Sequence, residues 1–350
     1  MSVDTTATTT PVTPPDDAGS DPRAAARLHW ARRALANPAA ALERASTDAG
    51  FRSYWRTAGL APSRIVMDSP PDKEDVRPWL RMRDVLEAGQ VRVPRVLARD
   101  EDAGFLLLED LGGNTLLQVI DAGNADAWFD AAITQLLKLQ AIRAPDDLPR
   151  YDEAMLLREL RLFDEWFCAT HLGLQLDCAA LEALDTAQRH LIDAALAQPQ
   201  VLVHRDFMPR NLMPLIDGSL AVLDFQDAVI GPVAYDALSL FKDAFLSWEP
   251  ARVQAWLTHY HQRASDAGLP VPGLHRFLRD AELIGIQRHL KVLGIFARLH
   301  HRDGKPKYLA DAPRFIAYLD EALPRHPALA GLATFINQRV KPALSVASPA

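Results

Sequence analysis

The sequence predicts an α+β fold of two unequal lobes, a small lobe built on a mixed β-sheet and a larger, mostly helical one. Three observations carry the prediction. Runs with strand character, bounded by Gly, Pro and Asp, are concentrated before residue 110. Beyond Asn114 the apolar residues recur almost everywhere at helical spacing. One stretch of that helical part, Val201 to Asp227, breaks the pattern with two short apolar runs, each delivering polar groups at its end.

The elements follow in order. Residues 1–22, rich in Thr, Pro, Ala and Asp, cannot bury a core and are expected to be a disordered tail. Residues 23–108 form the expected small lobe. Arg23 to Leu42 is Ala-rich, with Leu28, Trp30, Leu35 and Leu42 at helical spacing, and reads as one or two helices broken at Pro38. Ser46 to Asp68 reads as a hairpin, with Phe51, Tyr54 and Trp55 on one strand, Gly59 and Pro62 in the turn, and Arg64 to Asp68 on the other. Lys73 to Gly89 reads as a helix entered through Pro70-Pro71 and stopped by its glycine. Val93 to Leu97 and Phe105 to Leu108 read as two further strands. Glu109 to Gly113 then breaks the pattern, and residues 109–114 are the expected connection to a helical lobe over 115–345. In that lobe Phe129, Ile133 and Leu136 share one face, as do Leu156, Leu160, Phe163 and Phe167, and these stripes read as core.

Composition bounds the function. A chain of 350 residues is long enough for two lobes with a core. A net charge of -7 without a basic stripe argues against a nucleic-acid partner. No apolar run is long enough to span a bilayer and no basic-then-apolar leader is present, so no membrane partner is expected. Cys168 and Cys178 lack metal-ligand spacing and read as packed, reduced thiols. The expectation is a cytoplasmic monomer acting on a small molecule.

The chemistry is concentrated in Val201 to Asp227. His204, Arg205 and Asp206 follow the run Val201 to Val203; Asn211 comes five positions after Asp206, and Asp224 thirteen after Asn211, at the end of Leu220 to Leu223. Asp217-Gly218, between the runs, is a turn signal. A carboxylate at Asp206 suits a base that orients an acceptor hydroxyl and takes its proton. The oxygens of Asn211 and Asp224 are hard ligands of the kind Mg2+ prefers beside ATP phosphates and water. Any one of these acids alone reads as a cap or a surface charge; together, at these spacings, they match the His-Arg-Asp and Asp-Phe-Gly signatures of a protein-kinase-like site. Gln226 stands in the third place of the second signature, so a protein kinase itself is not the nearest reading. Asp206, Arg205 and Asn211 are the candidate catalytic group, Asn211 and Asp224 the candidate metal ligands. His204 and Asp236 support them, Asp236 from a helix start where it accepts backbone N–H groups of the catalytic loop. Arg288 and Lys291 put basic groups on an apolar helix, either as exposed charge or as an anion-binding wall of a substrate pocket.

These motifs, with FRSYWR (51–56), RIVMDSPP (64–71), GFLLLEDLG (104–112), HRDFMPRNLM (204–213) and LDFQDAVIGPVAYDALSLFKDAF (223–245), resemble the aminoglycoside phosphotransferase family, small-molecule relatives of protein kinases. Within it they are similar to a bacterial subgroup of cell-wall-recycling sugar kinases, which phosphorylate N-acetylmuramate and N-acetylglucosamine at the C1 hydroxyl. The resemblance implies that Asp206 is the base, that Asn211 and Asp224 hold Mg2+ and that Asp236 braces the loop. It also implies that Ala49, Gly50, Phe51 and Arg52 cover the ATP phosphates, and that the backbone at Glu109 and Leu111 meets the adenine. Asp227, Arg210, Arg288 and Lys291 are the candidates for the sugar. The product would be a sugar 1-phosphate that a uridylyltransferase converts to the UDP-sugar. The rivals are a kinase of another small hydroxyl compound, an aminoglycoside or an amino alcohol, and a catalytically silent nucleotide-binding scaffold. One departure stands out: the strand Arg64 to Asp68 lacks the phosphate-pairing lysine of related enzymes, leaving Arg52 or Lys73 to supply that charge.

Overall fold

The computed structural model describes residues 21–46 and 51–347. Ala49, Gly50 and nearly all of the expected tail lie outside the described residues. The chain divides into two compact units, one of residues up to Val76 with Arg95–Asp110, the other of Arg77–Pro94 with everything from Leu111 onward. The cut at Asp110 falls inside the 109–114 stretch. Residues 77–94, placed by the sequence in the small lobe, group with the second unit, where Trp79 meets Phe225 at 5.1 Å between ring centres.

The first unit is a helix on a sheet. Helix α1 (Pro22–Ala34) starts where Asp21 accepts the Arg23 N–H at 3.0 Å and proline fills the first helical position. The strands β1 (Ala41–Ser46), β2 (Ser53–Ala58), β3 (Arg64–Asp68), β4 (Val96–Asp100) and β5 (Phe105–Glu109) lie in the order β1-β2-β3-β5-β4, every pairing antiparallel. Strand β1 occupies residues that the Ala-rich composition assigned in part to a helix. Its pairing with β2 and the packing of Leu42 against the Trp30 cluster override a weak helical propensity. Trp30 and Ala31 of α1 cover Val66, Phe105 and Leu107, with Trp30 stacked on Phe105. Asp68, 2% exposed, locks α1 to β3 through Arg23 and Arg27.

The second unit is built from α2 (Arg77–Ala88), α3 (Leu116–Val119), α4 (Ala125–Gln140), α5 (Glu153–Leu162) and α6 (Cys178–Leu196), with a π-helical turn, Phe163–His171, continuing α5. Four short strands follow: β6 (Gln200–Val203), β7 (Leu212–Pro214), β8 (Leu220–Val222) and β9 (Val229–Pro232). Then come α7 (Tyr235–Phe241), α8 (Pro250–Asp266), α9 (Leu274–His301), α10 (Ala312–Ala322), α11 (Ala330–Phe335) and α12 (Lys341–Ala347). The Asp217-Gly218 turn closes the β7–β8 hairpin, Gly218 taking the left-handed φ of +79° that a side chain would strain. The apolar run before His204 pairs elsewhere, with β9. Helix α9 runs through the core, and Gly294 lets it approach α5: a Cβ there would lie 2.3 Å from the Leu162 carbonyl carbon. That close approach brings Glu159 of α5 against Lys291 of α9, at 3.0 Å. Cys168 is buried but Cys178, at the first position of α6, is exposed, so only one of the two thiols is packed. Among the described residues no helix is long and apolar enough to cross a membrane.

Candidate active site

Strand β6 ends at Val203 and hands the chain to three residues whose backbone is held on every side. Asp236, fully buried at the start of α7, accepts the N–H of His204 (2.7 Å) on one carboxylate oxygen and that of Arg205 (3.0 Å) on the other. Burial pushes the Asp236 carboxyl up to about 6, while His204 and the two backbone donors pull the other way. The His204 ring, 1% exposed, lies Nε2 against the Leu223 carbonyl (2.8 Å) and Nδ1 against the Asp206 N–H (3.3 Å). A carbonyl only accepts and an N–H only donates, so Nε2 carries the proton and Nδ1 is the acceptor. The ring thus ties Asp206 to the end of the β8 run. Asn211 completes the frame: its Nδ2 donates to the Asp206 carbonyl (2.9 Å), and its own carbonyl accepts the Leu223 N–H (2.9 Å). Through Leu223 the three groups separated in sequence converge, Asp206, Asn211 and Asp224.

Two of these residues pay in backbone strain. Arg205 (φ +74°) and Asp224 (φ +60°) adopt the left-handed conformation, at a cost of roughly 1–3 kcal/mol each. The Asp206 carboxylate has no hydrogen-bond partner among the described residues, so both oxygens remain available to an acceptor hydroxyl. Asn211 commits its NH2 end to the loop, which leaves the amide oxygen as the ligand end. Gln226, at the departure from the Asp-Phe-Gly pattern, donates to Asp224 (3.1 Å) and to Asp227 (3.2 Å), fixing the Asp224 carboxylate with a side chain where glycine has none. Two oxygen ligands without a larger cage fit Mg2+, which keeps waters and phosphate oxygens in its shell; no group of three or more His, Cys, Asp or Glu among the described residues competes as a metal site.

The remaining sequence candidates fall into three groups. Arg210, in the 3-10 turn Pro209–Asn211, sits with its guanidinium 5.3 Å from the Phe245 ring, and Asp227 is exposed. Arg288 and Lys291 are 2% and 6% exposed, so neither is surface charge. Arg288 faces the buried Asp243, whose carboxyl burial pushes up to about 6 and Arg288 pulls down. Lys291 joins an ion-pair network beneath the loop: Glu159 accepts from Arg205 Nη2 (2.5 Å), Lys291 Nζ (3.0 Å), Gln287 Nε2 (3.3 Å) and the Tyr151 hydroxyl. Burial opposes ionisation of Glu159, but Lys291 and Arg205 outweigh it and hold the carboxyl below its usual range. In the first unit, Arg52 is buried and pairs with Glu74 at 3.2 Å, whereas Lys73 is more than half exposed beside Asp72. Phe51 is exposed, and Glu109 spends its carboxylate on the Arg95 backbone N–H (2.7 Å) and guanidinium (3.0 Å). Leu111 begins the chain's return to the second unit.

Sequence reasoning missed Glu159 and Gln226. Gln226 was visible as a departure without a role. Glu159 had a signal as well, a carboxylate on the apolar stripe of Leu156, Leu160 and Phe163, where a charge is buried unless a partner meets it.

Residues 41–271 match the family described as "Phosphotransferase enzyme family" (APH). The chain is similar to a protein of Pseudomonas putida named N-acetylmuramate/N-acetylglucosamine kinase, 51% identical over 302 residues that cover 86% of this chain and 89% of that one. A Pseudomonas aeruginosa protein of the same name is 51% identical over 296 residues, covering 84% and 87%. Among solved structures, an ADP-bound aminoglycoside phosphotransferase superposes with a TM-score of 0.56 at 15% identity, over 83% of this chain and 96% of that one, a likeness of fold.

Proposed function

The chain belongs to the phosphotransferase enzyme family, and from that premise we propose that it is a cytoplasmic, ATP- and Mg2+-dependent sugar kinase that phosphorylates the anomeric C1 hydroxyl of N-acetylmuramate, N-acetylglucosamine or both. The observation that carries the choice of sugar is the near-full-length likeness to the two Pseudomonas kinases. The braced loop supports the chemistry. Asp206 orients the C1 hydroxyl and accepts its proton as that oxygen bonds to the γ-phosphorus and ADP departs. A hemiacetal hydroxyl is more acidic than an ordinary alcohol, so one carboxylate of modest basicity suffices. Asn211 and Asp224 hold Mg2+, which when bound neutralises charge on the phosphates. Arg52, paired with Glu74, takes the place of the absent phosphate-pairing lysine, with residues 49–51 covering the phosphates and the 109–114 connection meeting the adenine. The sugar 1-phosphate is then a substrate for nucleotidyl transfer to a UDP-sugar.

The test is nucleotide consumption by the purified protein with Mg2+ across N-acetylmuramate, N-acetylglucosamine, an aminoglycoside and choline. Turnover is expected with the amino sugars, and Asp206→Asn is expected to lower kcat by about 10³-fold or more without loss of folding. Turnover confined to the aminoglycoside or choline would overturn the choice of acceptor, and nucleotide binding without turnover on any of the four would overturn the kinase reading.

A further inference from the structure

We propose that Glu159 is a positioning residue for phosphoryl transfer, acting through Arg205 to hold the peptide that carries Asp206 in its strained conformation. The inference rests on the reading of Asp206 as the base and deepens it.

The geometry is specific. Arg205 takes a left-handed φ of +74° directly before Asp206, and a non-glycine residue reverts from that region unless its surroundings over-determine it. Its backbone N–H is fixed by Asp236 (3.0 Å), but that bond alone leaves the side chain free to swing the residue out. The guanidinium is fixed separately, by Glu159 at 2.5 Å, forty-six residues earlier in the chain. Glu159 is itself immobilised: Lys291 and Gln287 reach it from α9, and Tyr151 donates its hydroxyl. Lys291 also donates to the Tyr235 hydroxyl (3.2 Å), the residue beside Asp236. The two anchors of the loop, Asp236 on its backbone and Glu159 on its side chain, are thereby tied to one another.

Stability does not account for this arrangement. Desolvating two cations and a carboxylate costs about as much as their attraction returns, so a buried ion-pair network contributes little net folding energy. What it gives is one orientation. With Glu159 neutralised, Arg205 relaxes toward ordinary backbone angles, the peptide before Asp206 rotates, and the Asp206 N–H leaves His204 Nδ1. A displacement of about 1 Å at a reacting group costs on the order of 10²-fold in rate.

The experiment is a double-mutant cycle of Glu159→Gln and Arg205→Met read in kcat and KM, with hydrogen exchange at the Arg205 and Asp206 amides. Each single variant is expected to lower kcat by roughly 30-fold with KM for ATP and sugar within about twofold. The double variant is expected to lose no more than Arg205→Met alone, because both changes break one link. Exchange at those amides is expected to rise about tenfold in Glu159→Gln without any substrate. Additive losses, a loss that falls in KM, or unchanged exchange would overturn the proposal. Should Glu159→Gln fail to fold, Glu159→Gln/Lys291→Met restores the balance of buried charge; its kcat stays low if Glu159 positions the loop, and a return to the wild-type value overturns it. The exchange measurement needs no acceptor, so it decides this proposal even where the choice of sugar fails.

Discussion

Asp68 and Asp236 are carboxylates of nearly equal burial, 2% and 0% exposed, put to different ends. Asp68, at the end of β3, meets two guanidinium groups, Arg23 and Arg27, and so fastens a helix to a sheet. Asp236 forms no salt bridge among the described residues; it accepts two consecutive backbone N–H groups and so fastens a loop. Charge pairing holds elements together while leaving local backbone free, whereas a carboxylate that spans two peptide units dictates their orientation. The first use serves folding, the second geometry at a reacting group.

Substitution separates the two roles. Asp236→Asn keeps the volume but turns one acceptor into a donor facing an N–H. It is expected to lower kcat by about 10²-fold and to destabilise by only about 1 kcal/mol, the unpaired N–H being offset in part by the loss of a carboxylate that was costly to bury. Asp68→Asn is expected to do the reverse, destabilising by roughly 3 kcal/mol in a denaturant titration while kcat of the folded protein stays within about twofold. A kcat loss in Asp68→Asn without a stability change would erase the distinction. Smaller still is the effect of Arg52→Ala, an approximately tenfold rise in KM for ATP with kcat less affected. Lys73→Ala carries no such rise if the buried, Glu74-paired arginine is the phosphate-facing cation.

A fifth variant concerns a buried carboxyl that forms no salt bridge among the described residues. Asp243 is fully buried, and its folded carboxyl, pushed by burial up to about 6, lies above the ordinary value of 3.8. Its contribution to stability is therefore fully present below pH 3.8 and lost as pH rises through about 6. Wild type is expected to lose about 1 kcal/mol relative to Asp243→Asn between pH 5 and pH 8, read from paired melting curves. A pH-independent difference would mean that the carboxyl titrates normally in the folded chain.

The same contrast explains what was legible in the sequence. Asp206, Asn211 and Asp224 were readable because they lie along one continuous strand-loop-strand path, where spacing encodes placement. The Asp236 brace was readable because it sits at a helix start shortly after that path. The long apolar stripes of α4 and α5 announced their own burial. By contrast, β1 was hidden because alanine-rich composition speaks for a helix until a neighbouring strand is known. The pairing of β6 with β9, rather than across the Asp217-Gly218 turn, depended equally on a partner supplied by tertiary structure. Lys291 looked available to a ligand until α5 and α9 were seen to meet at Gly294, which gives its ammonium to Glu159.

Phosphoryl transfer to the anomeric oxygen is decided by the phosphorus-coupled proton NMR spectrum of the product made from N-acetylmuramate and ATP. Phosphorus coupled to the anomeric proton is expected, with no such product from Asp206→Asn. Phosphorus coupled to protons at any other ring or exocyclic position would contradict it, as would full product formation by Asp206→Asn.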